Sequence, residues 1–294
     1  MTKTTRGILA TLVGCTCWGF SGACGQYLFT NDDFSASWLT SVRMLFAGII
    51  LTGYGCYKYA HLWRQMLANK RDALQLVIFA LLGLLMCQYT YLEAIAHSNA
   101  GTATVLQYLM PVFILLYVCC TTRRTPDKME LISVLLAMTG TFILATHGNP
   151  SQMVLTTAGL CWGLGSAVAA ASYSLLPRSL MAKYGSIPVT GGGMLIGGLV
   201  FSFPAGVWAA PPALDAAGIG ALLSIVVVGT VIAFTLYLQG IKDIGPVKAS
   251  MLASAEPLSA TMLAVIWLGT PMTWLDAAGF ACIIVTVFIL TLKK

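Results

Sequence analysis

The sequence predicts an all-α polytopic membrane protein of ten transmembrane helices, built as two inverted five-helix repeats. Three observations predict it. The 294 residues are 58% hydrophobic and 9% charged, where a soluble globular protein carries roughly 25% charged residues. Apolar runs recur along the whole length, each near the ~20 residues that a helix needs to cross a bilayer. Short motifs also recur at a nearly constant offset between the two halves. Alternating period-two segments are missing from the sequence, which argues against a β-barrel.

The runs follow in order. The first, 7–28, comes after Lys3 and Arg6 and closes at "TNDD". It is longer than the apolar stretch of a signal peptide and lacks a small-residue cleavage pattern, so it is expected to stay as a helix. Runs 36–57 and 73–96 flank a basic turn, and "HSNAG" separates the third from 100–122. "TTRRTPDK" leads into 129–146, and "THGNPS" into 155–176. Run 187–209 ends at "AAPP", 217–240 leads to "KDIGP", and 246–269 meets 272–292 through "GTPM". Glycine, proline, asparagine and aspartate in these joints are turn chemistry.

Charge tests the count. With the N-terminus in the cytoplasm, the cytoplasmic turns hold Lys58, Arg64, Lys70 and Arg71, then Arg123, Arg124 and Lys128, then Arg178 and Lys183, then Lys242 and Lys248. The tail holds Lys293 and Lys294, while the opposite turns hold Asp32, Asp33 and Asp215 without a Lys or Arg. Of the 16 basic residues only Arg43 falls outside this pattern, inside the second run. This is the positive-inside rule, and it puts both termini in the cytoplasm. The net charge of +6 is therefore topological and not a nucleic-acid footprint.

The chain repeats itself. "CWG" at 17–19 returns at 161–163, "YLEAI" at 91–95 echoes "YLQGI" at 237–241, and "LMPVF" at 109–113 aligns its proline with that of "AEPLS" at 255–259. The repeats are residues 1–148 and 149–294. Five spans is an odd number, so the copies enter the membrane from opposite sides. Inverted repeats of this kind recur in secondary transporters, with the site near the midplane.

With these motifs in place, the chain resembles the EamA-type members of the drug/metabolite transporter superfamily. The likeness rests on "CWG" in runs one and six, Arg43 in "SVRMLFAG", and the mid-run prolines Pro111 and Pro257. It implies a carrier of the bacterial inner membrane with a central cavity, of the kind that exports amino acids and related small metabolites. It departs at the turns after runs four and nine, where "CTTRRTPD" and "LGTPMT" stand in place of a family glutamate.

Ionisable groups inside a span cost about 2.5–3.5 kcal/mol on insertion scales and are functional candidates. Glu256 lies near the middle of run nine, beside Pro257. A proline removes its own N–H and frees the carbonyl four residues back, here Ala253; Pro111 does the same to Gln107. Such a carbonyl must face protein or a wet cavity. Glu256 either binds a substrate ammonium or takes up a coupling proton, the alternative being an Arg-paired glutamate that holds helices together. Arg43 either binds a substrate carboxylate, pairs with Glu256, or snorkels to the surface. Trp18, Gln88, Tyr91, Gln107, Trp162 and Tyr237 complete a candidate amphipathic, aromatic-lined substrate site, against ordinary interhelical packing. Trp38, Trp208 and Trp274, near outer run ends, read as interfacial belt residues.

No cofactor or metal is expected. The nine cysteines lie in or beside apolar runs and read as buried thiols, and His61, His97 and His147 fall in separate turns without ligand spacing. No P-loop exists for an ATP-driven pump, and no paired acid and base for a membrane enzyme. The expected partners are a small-molecule substrate, the lipid bilayer and a coupling proton, with the chain acting as a monomer or homodimer. The alternative functions are an uncoupled facilitator or exchanger of sugars, nucleosides or quaternary amines, and a polytopic membrane enzyme.

Overall fold

A computed structural model describes residues 2–31, 35–98, 100–146, 149–153, 156–208, 215–268 and 273–292. The "AAPP" and "GTPM" turns, Asp32, Asp33, His147, Lys293 and Lys294 lie outside the described residues. Every regular element among those described is helical. In hydrocarbon the backbone must satisfy its own hydrogen bonds, and a helix does so within one segment.

The first half comprises α1 (Lys3–Asn31), α2 (Ala36–Ala68), α3 (Lys70–Ile78), a π turn (Phe79–Leu85), α4 (Met86–Ala96), α5 (Ala100–Gln107), α6 (Met110–Thr122) and α7 (Lys128–Thr146). After a short 3₁₀ turn come α8 (Thr157–Leu175), α9 (Arg178–Tyr184), α10 (Ser186–Ser202), α11 (Ala216–Val226), a second π turn (Val227–Ile232), α12 (Ala233–Ile244), α13 (Pro246–Leu252), α14 (Ala255–Leu268) and α15 (Trp274–Leu292). Polar caps start several of them: Ser35, Asn69, Thr156 and Asp215 each accept a backbone N–H of the first turn with a side-chain oxygen, as N-caps do. Among the described residues five helical stretches are long and apolar enough to cross a membrane: Ala36–Ala68, Lys70–Ala96, Thr102–Thr122, Thr157–Tyr184 and Ala216–Ile244.

The helices pair reciprocally. α1 packs on α12 as α8 packs on α4, α1 meets α14 as α8 meets α6, and α2 lies on α10 and α7 on α15. The offset between Pro111 and Pro257 carries the first member of each relation onto its counterpart in the other half. The π turns obey it too: Gly83 and Gly229 occupy equivalent places in them. A Cβ on Gly83 would meet the Phe79 ring at 2.9 Å and the Tyr173 backbone of α8 at 3.3 Å, and one on Gly229 would meet Ser21 of α1. Each π turn is thus a place where the leading helix of the other half comes close.

Spans four and nine differ from expectation. In place of kinked continuous helices, the chain breaks at Tyr108–Leu109 and at Ala253–Ser254. Tighter bonds replace the regular ladder there: Leu109 N–H donates to the Leu106 carbonyl at 3.1 Å and Ser254 N–H to that of Met251 at 3.3 Å. Proline cannot donate and crowds the preceding turn, so the helix restarts just before it.

Other expectations need correction. α2 continues to Ala68, past residue 57, bending at Tyr59 (φ −131°, ψ 34°). His61 therefore lies on a helix and not in a turn. Cys56, Cys120 and Cys161 are exposed on apolar outer faces, and all nine cysteines are free thiols. Trp38 packs partly into a cluster of Leu28, Leu39, Leu92 and Ile225 instead of standing free; Trp208 and Trp274 remain exposed.

Two ion pairs tie helix ends together. Arg6 holds Asp243 with both nitrogens at 2.8 Å, joining α1 to α12. Lys183 Nζ lies 2.9 Å from Asp72 Oδ1, and the Tyr184 hydroxyl donates to Oδ2 at 2.7 Å, joining α3 to α9. Asp72 stands before the apolar run that begins at Ala73, and the hydrogen bonds from Lys183 and then Tyr184 hold its carboxyl below the usual range. A carboxyl lowered in the fold adds stability above its unfolded value, about 3.9, and loses it as pH falls through the folded one. Asp72→Asn should accordingly lower Tm at neutral pH and flatten the acid limb between about pH 5 and the folded value. Parallel wild-type and variant Tm curves in detergent would refute this.

The α2–α10 contact depends on glycine. A Cβ on Gly48 would meet the Leu195 backbone and one on Gly198 the Leu45 backbone, and backbone cannot give way as a flexible side-chain tip can. Gly48→Ala and Gly198→Ala should each cost about 1–3 kcal/mol, read as a lower Tm, whereas Gly220→Ala, in open space, should be neutral or better.

Candidate functional site

The break between α13 and α14 organises the site. Glu256 is the second residue of α14, so its carboxylate sits at the positive end of that helix's macrodipole. That position offsets part of the cost of placing a charge in a span. Pro257 is buried behind it. Pro257 cannot donate to the Ala253 carbonyl, and two other donors do: the Glu256 N–H at 2.9 Å and the hydroxyl of Tyr108. Tyr108 itself lies at the other break, so the two interrupted spans meet at this carbonyl.

Around Glu256 the fold gathers groups from five other segments. Cys15 of α1, Arg43 of α2, Cys87 and Tyr91 of α4, Tyr108, and Tyr237 of α12 all lie within electrostatic reach of its carboxylate. Glu256, Arg43, Tyr91 and Gln107 are half-buried, while Tyr108 and Tyr237 are 5% and 1% exposed.

Arg43 does not pair with Glu256: the two make no ion pair within the 4.0 Å limit. Its guanidinium carbon lies 5.8 Å from the Phe234 ring centroid, a cation–π distance, and its Nε is buried without a partner. Unpaired polar atoms at this depth are costly. The Arg43–Glu256 couple is thus two opposite charges within mutual reach but not in contact.

An aromatic wall stands beside them. Trp18 packs edge-on against Phe234 at 4.9 Å and tilted against Tyr237 at 5.0 Å, and Tyr173 stacks on Tyr237 at 5.8 Å. Trp18 Nε1 has no hydrogen-bond partner, and the Tyr237 hydroxyl lies toward Ser174 without bonding geometry. Tyr91 shares a 2.9 Å hydrogen bond with Thr104 across α4 and α5.

The remaining candidates sit at the margins. Gln88 donates Nε2 to the Met194 sulfur at 3.6 Å, and its Oε1 is buried without a partner. Gln107 ends α5 at the break. Trp162 is not brought to this group; it packs with Tyr89 at 5.8 Å, and Tyr89 in turn with Phe201 at 4.8 Å, in a second ring cluster.

Sequence reasoning missed Tyr108, Phe234, Tyr173, Cys15 and Cys87. The repeat held a signal for two of them. Phe234 occupies the place of Gln88 in the other half, and Tyr108 that of Ser254 at the second break. Among the described residues no His, Cys, Asp and Glu cluster has a metal-binding arrangement.

A duplicated helical bundle with interrupted spans and a carboxylate at one interruption is the architecture of a membrane transport protein. The chain belongs to the EamA-like transporter family, which matches residues 5–146 and again 157–292. It is 39% identical over 294 residues to YicL, an inner membrane transporter of Salmonella typhimurium, covering 100% of this chain and 98% of YicL. It is 25% identical over 264 residues to the inner membrane transporter YedA of Escherichia coli K12, covering 87% of this chain and 81% of YedA. A solved crystal structure shares its fold at TM-score 0.78 and 16% identity, over 98% of this chain and 95% of the other.

Arg43 lends itself to a direct test. Replacing a buried, incompletely partnered charge by an apolar group of similar volume is often neutral or stabilising. Arg43→Met should hold Tm within about 1 kcal/mol equivalent of wild type or raise it. A drop of several degrees in detergent would instead make Arg43 a structural strut.

Proposed function

We propose that this transporter is a secondary carrier that exports amino acids or related amines across the inner membrane by alternating access. Ten spans arranged as inverted repeats, 1–148 and 149–294, would leave both termini in the cytoplasm. The observation that carries the proposal is Glu256, at the break between α13 and α14, and Arg43 of α2 within mutual reach and unpaired. A zwitterion satisfies both: its ammonium meets Glu256 and its carboxylate meets Arg43. Trp18, Phe234 and Tyr237 offer an apolar side chain a flat wall, and Tyr91, Gln88 and Gln107 supply polar orientation. Pro111 and Pro257 keep the breaks open, and Trp162, in its own ring cluster, takes the role of Trp18 when the halves exchange conformations.

Glu256 also serves as the coupling group. With no fixed counter-ion, its carboxylate binds either the substrate ammonium or a proton, so one displaces the other and export of substrate accompanies entry of a proton. A second reading, an uncoupled facilitator, follows if Glu256 only binds. The chain works as a monomer or homodimer.

Uptake of a labelled amino-acid panel into proteoliposomes, with and without an imposed pH gradient, tests the proposal. Saturable uptake of at least one member, stimulated by the gradient, is expected. No uptake of any member by folded, inserted protein would eliminate the amino-acid reading. Glu256→Gln should keep counterflow but lose the response to the gradient; a variant as gradient-sensitive as wild type would refute Glu256 as the coupling group, and a wild type that ignores the gradient would leave the facilitator.

A further inference from the structure

The hydroxyl of Tyr108 does something that neither the repeat nor the proline motif requires. It is buried, it comes from the break in the first half, and it donates to the Ala253 carbonyl at the break in the second. That carbonyl also accepts the Glu256 N–H at 2.9 Å. A carbonyl oxygen has two lone pairs, and here both are used. The freed carbonyl is therefore closed to a cation or a substrate donor, and the Glu256 carboxylate is what the break offers to the site.

The arrangement is one-sided. At the place equivalent to Tyr108 the second half has Ser254, whose hydroxyl turns back to the Met251 carbonyl at 2.8 Å. The first half thus reaches across to the second, and Ser254 does not reach back. The tyrosine hydroxyl also lies within electrostatic reach of the Glu256 side chain, toward which, with its one proton on the carbonyl, it can only accept. Arg43, Cys15, Cys87, Tyr91 and Tyr237 face the carboxylate from the other helices.

We propose that Tyr108 is a positioning residue, a clasp between the two halves that closes the carbonyl opened by Pro257 and thereby fixes where Glu256 stands. Its functional consequence rests on the carrier reading above, but the clasp itself does not. When Glu256 changes partner, the change is felt at Tyr108 and so at the break in the first half. The one hydroxyl links the state of the carboxylate to the packing of both interrupted spans.

The test needs no substrate and uses the full chain. Tyr108→Phe keeps the ring and removes the hydroxyl. Pro257→Ala restores an N–H that can donate to Ala253 along the helix. If the clasp exists, Tyr108→Phe lowers Tm by about 2–4 °C, and the same change in the Pro257→Ala background costs much less, because the carbonyl has regained a donor. Additive effects, as expected of independent sites, would overturn the clasp. Should Tyr108→Phe alone fail to fold, the double variant is still expected to fold, and its failure would also overturn it.

Positioning is read separately by infrared spectroscopy of the protein in lipid. The carboxyl stretch of Glu256 is assigned by its loss in Glu256→Gln. Tyr108→Phe should move the frequency of that band and the pH at which it appears, and Tyr91→Phe, whose hydroxyl is held by Thr104, should move it less. An unmoved band in Tyr108→Phe would reduce Tyr108 to a packing residue. Absence of amino-acid uptake by the wild type would refute the carrier reading and leave both of these measurements standing.

Discussion

The structure depends on a single constraint: in hydrocarbon, a backbone carbonyl without a donor is very costly. Most of the chain obeys it by remaining helical. At Ala253 the chain places Pro257 four residues on and so removes the regular donor. Two donors replace it: the Glu256 N–H in a tighter turn, and the Tyr108 hydroxyl from the opposite half. This makes the break a junction. Two interrupted spans, far apart in sequence, are joined at one oxygen, and the carboxylate that follows it inherits its position.

The same constraint explains why charge accumulates there. A glutamate in the middle of a continuous span would lie against closed backbone. At the start of α14 it lies at the positive end of that helix's macrodipole, which favours its charge. Arg43, by contrast, gets only the face of Phe234 and no carboxylate within ion-pair distance. Neither charge neutralises the other by contact, so the space between them is electrostatically polarised. Two separated charges of this kind, with the Trp18 and Tyr237 rings together beside Phe234, are what the proposed zwitterionic substrate would use.

Much of this was legible in the sequence. Apolar length and the Pro111–Pro257 offset were enough to see the duplication, and the cost of a charge in a span pointed to Glu256 and Arg43. Pro257 pointed to the Ala253 carbonyl and to its need of a partner. What one-dimensional reasoning could not supply was which partner. Tyr108 is one aromatic residue among several in an apolar run, and only the meeting of the two halves brings it to Ala253. The break itself, where a kink was expected, depends on tight local bonds at Leu109 and Ser254 that proline spacing alone does not dictate. Trp162 misled for a related reason. Repeat equivalence with Trp18 gives it an equivalent environment in an ideal dyad, but its neighbours there are Tyr89 and not a second Tyr237.

That failure of equivalence is informative. The scaffold follows the repeat closely: glycines of the π turns, prolines, helix pairings and breaks all have counterparts. The charged chemistry does not, although Tyr91 and Tyr237 correspond. Opposite Glu256 stands Met110, opposite Arg43 stands Val189, and opposite Gln88 stands Phe234. A carrier of the kind proposed needs its two halves to exchange shapes, which a symmetric scaffold permits at little difference in energy. It needs only one set of binding groups, because a second carboxylate and a second guanidinium in the same space would repel the first and add further desolvation cost. Duplication therefore conserves what moves, and divergence at the facing positions confines what binds to one orientation, with Tyr108 as the point where the symmetric frame and the asymmetric site are held together.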